Sequence, residues 1–140
     1  MKKYIGTKII MAEPAKAMKD YGVHNIGDDG YKVVYPDGYE SWSPKDVFEE
    51  SYKPIDGATF GQAIEAIKQG KRAKRAGWNG KNQYIELAKN ISYEAADGRI
   101  VNAEHDAIGN KAIAFVGTSG VQLGWLASQA DMLSEDWVVF

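Results

Sequence analysis

Between Gln83 and Ala88 the chain alternates with a period of two. Ile85 and Leu87 fall on one face and Tyr84 and Glu86 on the other, which predicts a half-buried strand. Upstream the period changes. Phe60, Ala63, Ile64 and Ile67 recur at helical spacing and predict a helix with one buried face. Thr59 and Gln62 stand at capping-box spacing at its start, and Gly70 is a natural stop. Lys71–Arg75 is expected to lead into a strand or extended turn. Lys89–Asn110 is polar and lacks a clear period, and reads as a long excursion. Lys111–Val116 is an apolar strand, followed by a turn over Gly117–Gly120 and a further strand over Val121–Leu126. Ser128 is placed to cap a short helix over Gln129–Leu133, and Trp137–Phe140 to close the sheet.

The first part of the chain is patterned differently. Tyr4–Ile10 is read as a strand, and Met11–Gly30, broken by Pro14, Gly22 and Gly27, as loop with at most a helical turn. Tyr31–Tyr35 is β-branched and aromatic, as a strand requires. Pro36-Asp37-Gly38 predicts a hairpin turn that returns through Tyr39–Trp42. Ser43 is the expected cap of the next helix, with Pro44 at its first position and Asp46 at the positive end of its dipole. Val47, Phe48 and Tyr52 are its expected buried stripe. A short Pro/Asp/Gly segment near Asp56 separates the two patterns. The expectation is an α+β chain: a small α+β unit over residues 1–56, then a small antiparallel sheet with one main helix over residues 57–140.

Composition narrows the function classes. The 140 residues carry a formal charge of -2, which gives little overall attraction to nucleic acid or anionic membrane. There is no cysteine, so disulfides, thiolate metal sites and thiol catalysis are excluded. No apolar run approaches a membrane span, and Met1-Lys2-Lys3 is not followed by the apolar stretch of a signal peptide. A cytoplasmic location is expected. Charge is locally uneven: six basic and no acidic residues lie from Lys68 to Lys81, and three acidic and no basic residues from Asp131 to Trp137.

Two tryptophan segments carry the candidate chemistry. In Gly77-Trp78-Asn79-Gly80-Lys81 the glycines permit close backbone approach, the indole offers a stacking face, and the Asn79 amide can both donate and accept. Arg72, Arg75 and Lys81 can neutralise phosphates. A hairpin with Trp78 packed on the core and its basic neighbours in solvent explains the same pattern. In Trp125–Asp131, Ser128 and the following N–H groups suit an anion, and Asp131 can accept from a ribose hydroxyl or base amine. Alternatively Ser128 is a structural cap, Trp125 a core residue and Asp131 a first-turn carboxylate. Glu135-Asp136-Trp137 reads as a surface turn that docks Trp137 into the core. The two histidines, His24 and His105, lie in polar stretches. Glu104, His105 and Asp106 are adjacent on the chain and do not naturally converge on a metal. Phosphate-loop, nucleophile-elbow and zinc-protease motifs are absent. No catalytic residue, metal or cofactor is expected.

Taken in order, Phe60–Lys81, Trp125–Asp131 and Glu135–Trp137 resemble the second type of Thoeris anti-defence protein, a phage family of signal sponges, over about residues 58–140. The first part, with Tyr35-Pro-Asp-Gly-Tyr-Glu-Ser-Trp-Ser-Pro-Lys45, is similar to a separate small phage family of unassigned function. The resemblance implies a homotetramer that sequesters a cyclic ADP-ribose isomer made by TIR-domain enzymes, with cyclic dinucleotides as possible further ligands. It implies ligand contacts from Arg72, Arg75, Trp78, Asn79, Tyr84, Trp125, Ser128, Gln129 and Asp131. A sponge needs nanomolar affinity, about -12 kcal/mol, and therefore a preformed, largely enclosed site. The competing readings are an enzyme that cleaves the same signals and a single-stranded nucleic-acid-binding protein using Lys68–Lys81.

Overall fold

The computed structural model describes residues 1–102 and 111–140. The chain is α+β and divides into two units, Met1–Lys53 and Pro54–Phe140.

In the first unit, β1 (Met11–Pro14), β2 (Gly30–Val34) and β3 (Glu40–Pro44) form an antiparallel sheet in that order, followed by α1 (Lys45–Ser51). The β2–β3 hairpin turns at Pro36–Gly38. The Gly38 N–H donates to the Tyr35 carbonyl at 2.8 Å, and Gly38 holds φ 88°, which suits glycine. Phe48 of α1 stacks on Tyr31 at 4.1 Å, and Tyr52 on Phe48 at 5.0 Å. On the other side Trp42 stacks with Tyr21 at 5.0 Å and donates its indole N–H to the Ala15 carbonyl at 2.8 Å. Gly30 lies against this ring. A Cβ there would collide with Trp42 and the Ser43 carbonyl.

Several expectations for this unit fail. Tyr4–Ile10 is not a strand; Tyr4 and Ile5 are fully exposed. Its β-branched residues have no paired neighbour, and strand propensity without a partner does not make a strand. Pairing begins at Met11, opposite Val34, inside a segment read as loop. Ser43 does not cap α1: Pro44 is the cap residue, and no side chain bonds the free N–H groups. Val47 points to solvent at 55% exposure, and the expected buried stripe reduces to Phe48 and Tyr52, both only half-buried.

The second unit has α2 (Phe60–Lys68), β4 (Ala73–Arg75), β5 (Tyr84–Ala88), β6 (Ser92–Glu94), β7 (Ile100–Asn102), β8 (Ala112–Gly117), β9 (Gly120–Leu123), α3 (Gln129–Leu133) and β10 (Trp137–Val139). Five strands form an antiparallel sheet in the order β10-β4-β5-β8-β9. The segment read as a long excursion holds the small β6–β7 hairpin. The β10 edge is covered by residues 55–58: Val139 N–H donates to the Ile55 carbonyl at 2.8 Å, and Ala58 and Trp137 exchange both backbone bonds. This pairing ties the Pro54–Ala58 segment to the second unit.

Helix α2 forms where its pattern places it. The Thr59 hydroxyl accepts from the Gln62 N–H at 3.2 Å, and the Gln62 amide oxygen accepts from the Thr59 N–H at 2.9 Å. Its buried residues are Ala63, Ala66 and Ile67, of which Ala63 and Ile67 pack in one core with Ala58, Ala73, Ile85 and Trp137. Trp137 is fully buried and is the largest side chain of this core. Paired residues share a face, so Ala73, Arg75, Ile85, Phe115, Trp137 and Val139 face the helix side. Lys74, Tyr84, Glu86 and Val138 face the other way. Strand β9 ends at Leu123 and not at Leu126, because Gly124 turns the chain with φ 84°. The Gly124 and Trp125 N–H groups both donate to the Ile113 carbonyl at 3.1 Å, which sets Trp125 over the helix-side face.

Candidate functional site

Four sequence-distant segments meet at the end of α2 and the helix-side face of the sheet. Trp78 follows β4 on a turn in which its N–H donates to the Arg75 carbonyl at 3.3 Å. Its ring lies 5.3 Å from Trp137, 5.5 Å from Phe115 and 5.9 Å from Trp125. Trp125 in turn stacks on Phe115 at 6.3 Å and meets Phe60 edge-on at 6.5 Å. Both indoles are half-buried and packed on the core. The aromatic arrangement is of the edge-to-face and offset kind that rings favour.

The polar part of the site centres on Asp131. One of its carboxylate oxygens accepts from Arg75 Nη1 at 2.9 Å and from the Trp78 indole N–H at 3.1 Å. The other accepts from the Ser128 N–H at 3.0 Å, and the Asp131 N–H donates back to the Ser128 hydroxyl at 3.1 Å. The Asp131 carbonyl accepts the Trp137 indole N–H at 2.9 Å. Arg75 also binds Asp136 through Nε at 2.9 Å, and Asp136 accepts the Gly77 N–H at 2.9 Å. A Cβ on Gly77 would sit 2.9 Å from that same carboxylate oxygen, so the tight approach needs glycine.

Electrostatics follow from these bonds. Burial pushes the Asp131 carboxyl up, but bonds from Ser128, Arg75 and Trp78 outweigh it and bring the group down to about 2. Arg75 holds Asp136 below the usual carboxylate range, helped by the Gly77 N–H. The bonds to Asp136 and then Asp131 raise Arg75 further above its ordinary value. Arg75 and Asp131 are both largely shielded, with side chains 17% and 13% exposed, so this ion pair is stronger than a surface one.

Trp78, Asn79, Gly80, Gln83, Phe115, Trp125 and Asp131 line a cleft of about 300 Å³. That is the small end of the range for small-molecule sites. Two indoles and a phenyl ring supply flat apolar walls, and the Asn79 and Gln83 amides supply paired donors and acceptors. Of the expected ligand residues, Trp78, Asn79, Trp125 and Asp131 therefore come together at one cavity. Arg75 stands behind it, bound to two carboxylates. Ser128 caps α3, and Gln129 is an exposed residue of its first turn. Arg72 and Tyr84 lie on the opposite face of the sheet. Arg72 extends the β4–β10 ladder through Phe140, packs its guanidinium 4.7 Å over the Tyr84 ring and pairs with Glu86 at 3.4 Å.

Gly80 lines the cavity within the candidate segment that holds it, whereas Gln83, Phe115 and Asp136 are not among the expected site residues. Phe115 has a signal in the β8 alternation, since it faces the same side as Ile85, its register partner. Asp136 was read only as part of a surface turn. Trp137 does dock into the core as expected. Among the described residues no group of His, Asp and Glu is arranged to hold a metal ion, and His24 sits edge-on to Trp42 at 6.1 Å. Glu104, His105 and Asp106 lie outside the described residues.

Comparison with known proteins places all of the cleft within one matched segment. The Thoeris anti-defense 2-like domain family matches residues 58–140. A protein of Bacillus phage SP01 named Thoeris anti-defense 2 is 39% identical over 85 residues, covering 56% of this chain and 90% of that protein.

Proposed function

The chain belongs to the Thoeris anti-defense 2-like family, and from that membership we propose that it disarms Thoeris immunity by sequestering a cyclic ADP-ribose isomer in the aromatic cleft of its second unit. The observation that carries the reading is the juxtaposition of Trp78, Trp125 and Phe115 with the Asn79 and Gln83 amides around one cavity. A flat base stacks on indole faces, an interaction worth about 1–3 kcal/mol per base, while amides read base and ribose edges.

In this reading the ligand is held and not transformed. The carboxylate at the cleft, Asp131, is fixed by three donors and titrates near 2, far from the neutral range a general acid or base needs. The basic stretch Lys68–Lys81 is a poor nucleic-acid surface, since Lys68, Arg72 and Arg75 pair with Glu65, Glu86 and two aspartates. One chain's cleft is small for a dinucleotide-sized messenger, so enclosure by further copies, up to a homotetramer, belongs to the same proposal. The place of action is the cytoplasm of an infected bacterium. No helix among the described residues is long and apolar enough to cross a membrane.

The test is capture followed by release. Full-length protein is titrated calorimetrically with a panel of cyclic ADP-ribose isomers and cyclic dinucleotides, then heat-denatured and the supernatant chromatographed. Nanomolar uptake of a cyclic ADP-ribose isomer, recovered intact, is the expected result. A new product in the supernatant establishes an enzyme instead, and no uptake refutes sequestration.

A further inference from the structure

The cleft has a charge deficit that the proposed ligand exposes. A cyclic ADP-ribose carries two phosphate charges. Arg75, the cation bonded to the lining residue Asp131, is also bound to Asp136, so this network of one cation and two carboxylates is net negative. Arg72 lies on the other face of the sheet with Glu86, and Lys74 packs 5.4 Å over Phe140. None of these can turn to a pyrophosphate without breaking what it already holds.

The loop that joins two cleft-lining residues, Gly80 and Gln83, carries one more cation. Lys81 stands between Gly80 and Gln83, which both line the cavity. It is exposed, and among the described residues it makes no ion pair. The backbone there is held close: Gly80 packs so tightly against the Gln83 side chain that a Cβ would collide with it, and Asn82 adopts φ 58°. Lys81 thus sits on a shaped loop between two residues of the cavity lining, and not on a free tail.

Resting on the sequestration reading, we infer that Lys81 is the specificity residue that neutralises the pyrophosphate, so that the nucleoside end of the ligand enters the aromatic cleft and the phosphates stay at its rim. A lysine is suited to this work. It acts as a compact point charge on a flexible stem and needs no fixed fork geometry. A negatively charged network beneath the aromatic floor enforces the polarity, because phosphates placed deep would face Asp131 and Asp136.

The experiment compares full-length wild type, Lys81→Glu and Lys81→Arg. Each is titrated with the tightest-binding cyclic ADP-ribose isomer of the panel, at about 50 mM and about 500 mM salt, where screening lengths are roughly 14 and 4 Å. Lys81→Glu is expected to weaken binding about tenfold or more at low salt and much less at high salt. Lys81→Arg is expected to keep wild-type affinity, and both variants to melt with the wild type because the residue is exposed. Equal affinity of wild type and Lys81→Glu at low salt overturns the inference and leaves sequestration standing. A loss that does not shrink with salt also overturns it, since that marks a structural role. Absence of binding by the wild type removes both.

Discussion

Asp131 joins four parts of the second unit at once. Its side chain bonds Arg75 at the end of β4, Trp78 on the following turn and the Ser128 N–H at the start of α3, while its carbonyl holds Trp137 of β10. A carboxylate held by these donors is stabilised only while ionised. Its folded value of about 2 lies below the ordinary 3.8, so it contributes stability above about pH 4 that is lost as pH falls toward 2. That shift corresponds to about 2 kcal/mol. Asp131→Asn is expected to cost a similar amount at pH 7 and to flatten the acid limb of the stability profile between pH 4 and pH 2. Urea melts across that range check both. An unchanged acid limb would assign it to other carboxylates. Little of this network was legible beforehand. Arg75 and Asp131 are 56 residues apart, and Arg75 and Asp136 61 apart. The uneven charge of the two segments was visible. That Arg75 of one segment meets both Asp131 and Asp136 of the other depends on a fold that local spacing does not reveal.

At the scale of elements, what was legible is what local chemistry decides. Thr59 with Gln62 and Ser128 with Asp131 both form reciprocal caps, because a cap is completed within four residues. The β2–β3 turn is equally local. Thr59→Ala should therefore cost about 1 kcal/mol, measured by chemical denaturation, with the loss falling on the second unit. Prediction was weaker where a partner decides. Tyr4–Ile10 has strand-like residues and no strand beside it, whereas Met11–Pro14, with Pro14 at its end, finds the open edge of β2. Arg72 and Tyr84 illustrate the same point at the site. Their residue types suit a nucleotide, but the strand register turns both away from the cleft.

For the whole molecule, the division between Lys53 and Pro54 puts every cleft-lining residue in one unit. The phage relative is matched over 90% of its length by 56% of this chain, so a protein of little more than this unit exists by itself. Residues 54–140 alone are expected to fold cooperatively and to bind the ligand with the affinity of the full chain, within about threefold. Calorimetry on the shortened protein checks this. A loss of tenfold or more would assign residues 1–53 a part in capture. That unit has its own aromatic packing, Tyr21 on Trp42 and Phe48 on Tyr31.

Three of the four indoles sit together. Trp78, Trp125 and Trp137 have ring centres within 6.3 Å of one another, while Trp42 belongs to the other unit. Chromophores that close share their excited states, and two of the three form walls of the cavity. A guest held as proposed is expected to alter their ultraviolet circular dichroism and their emission, an optical gauge of occupancy that needs no label.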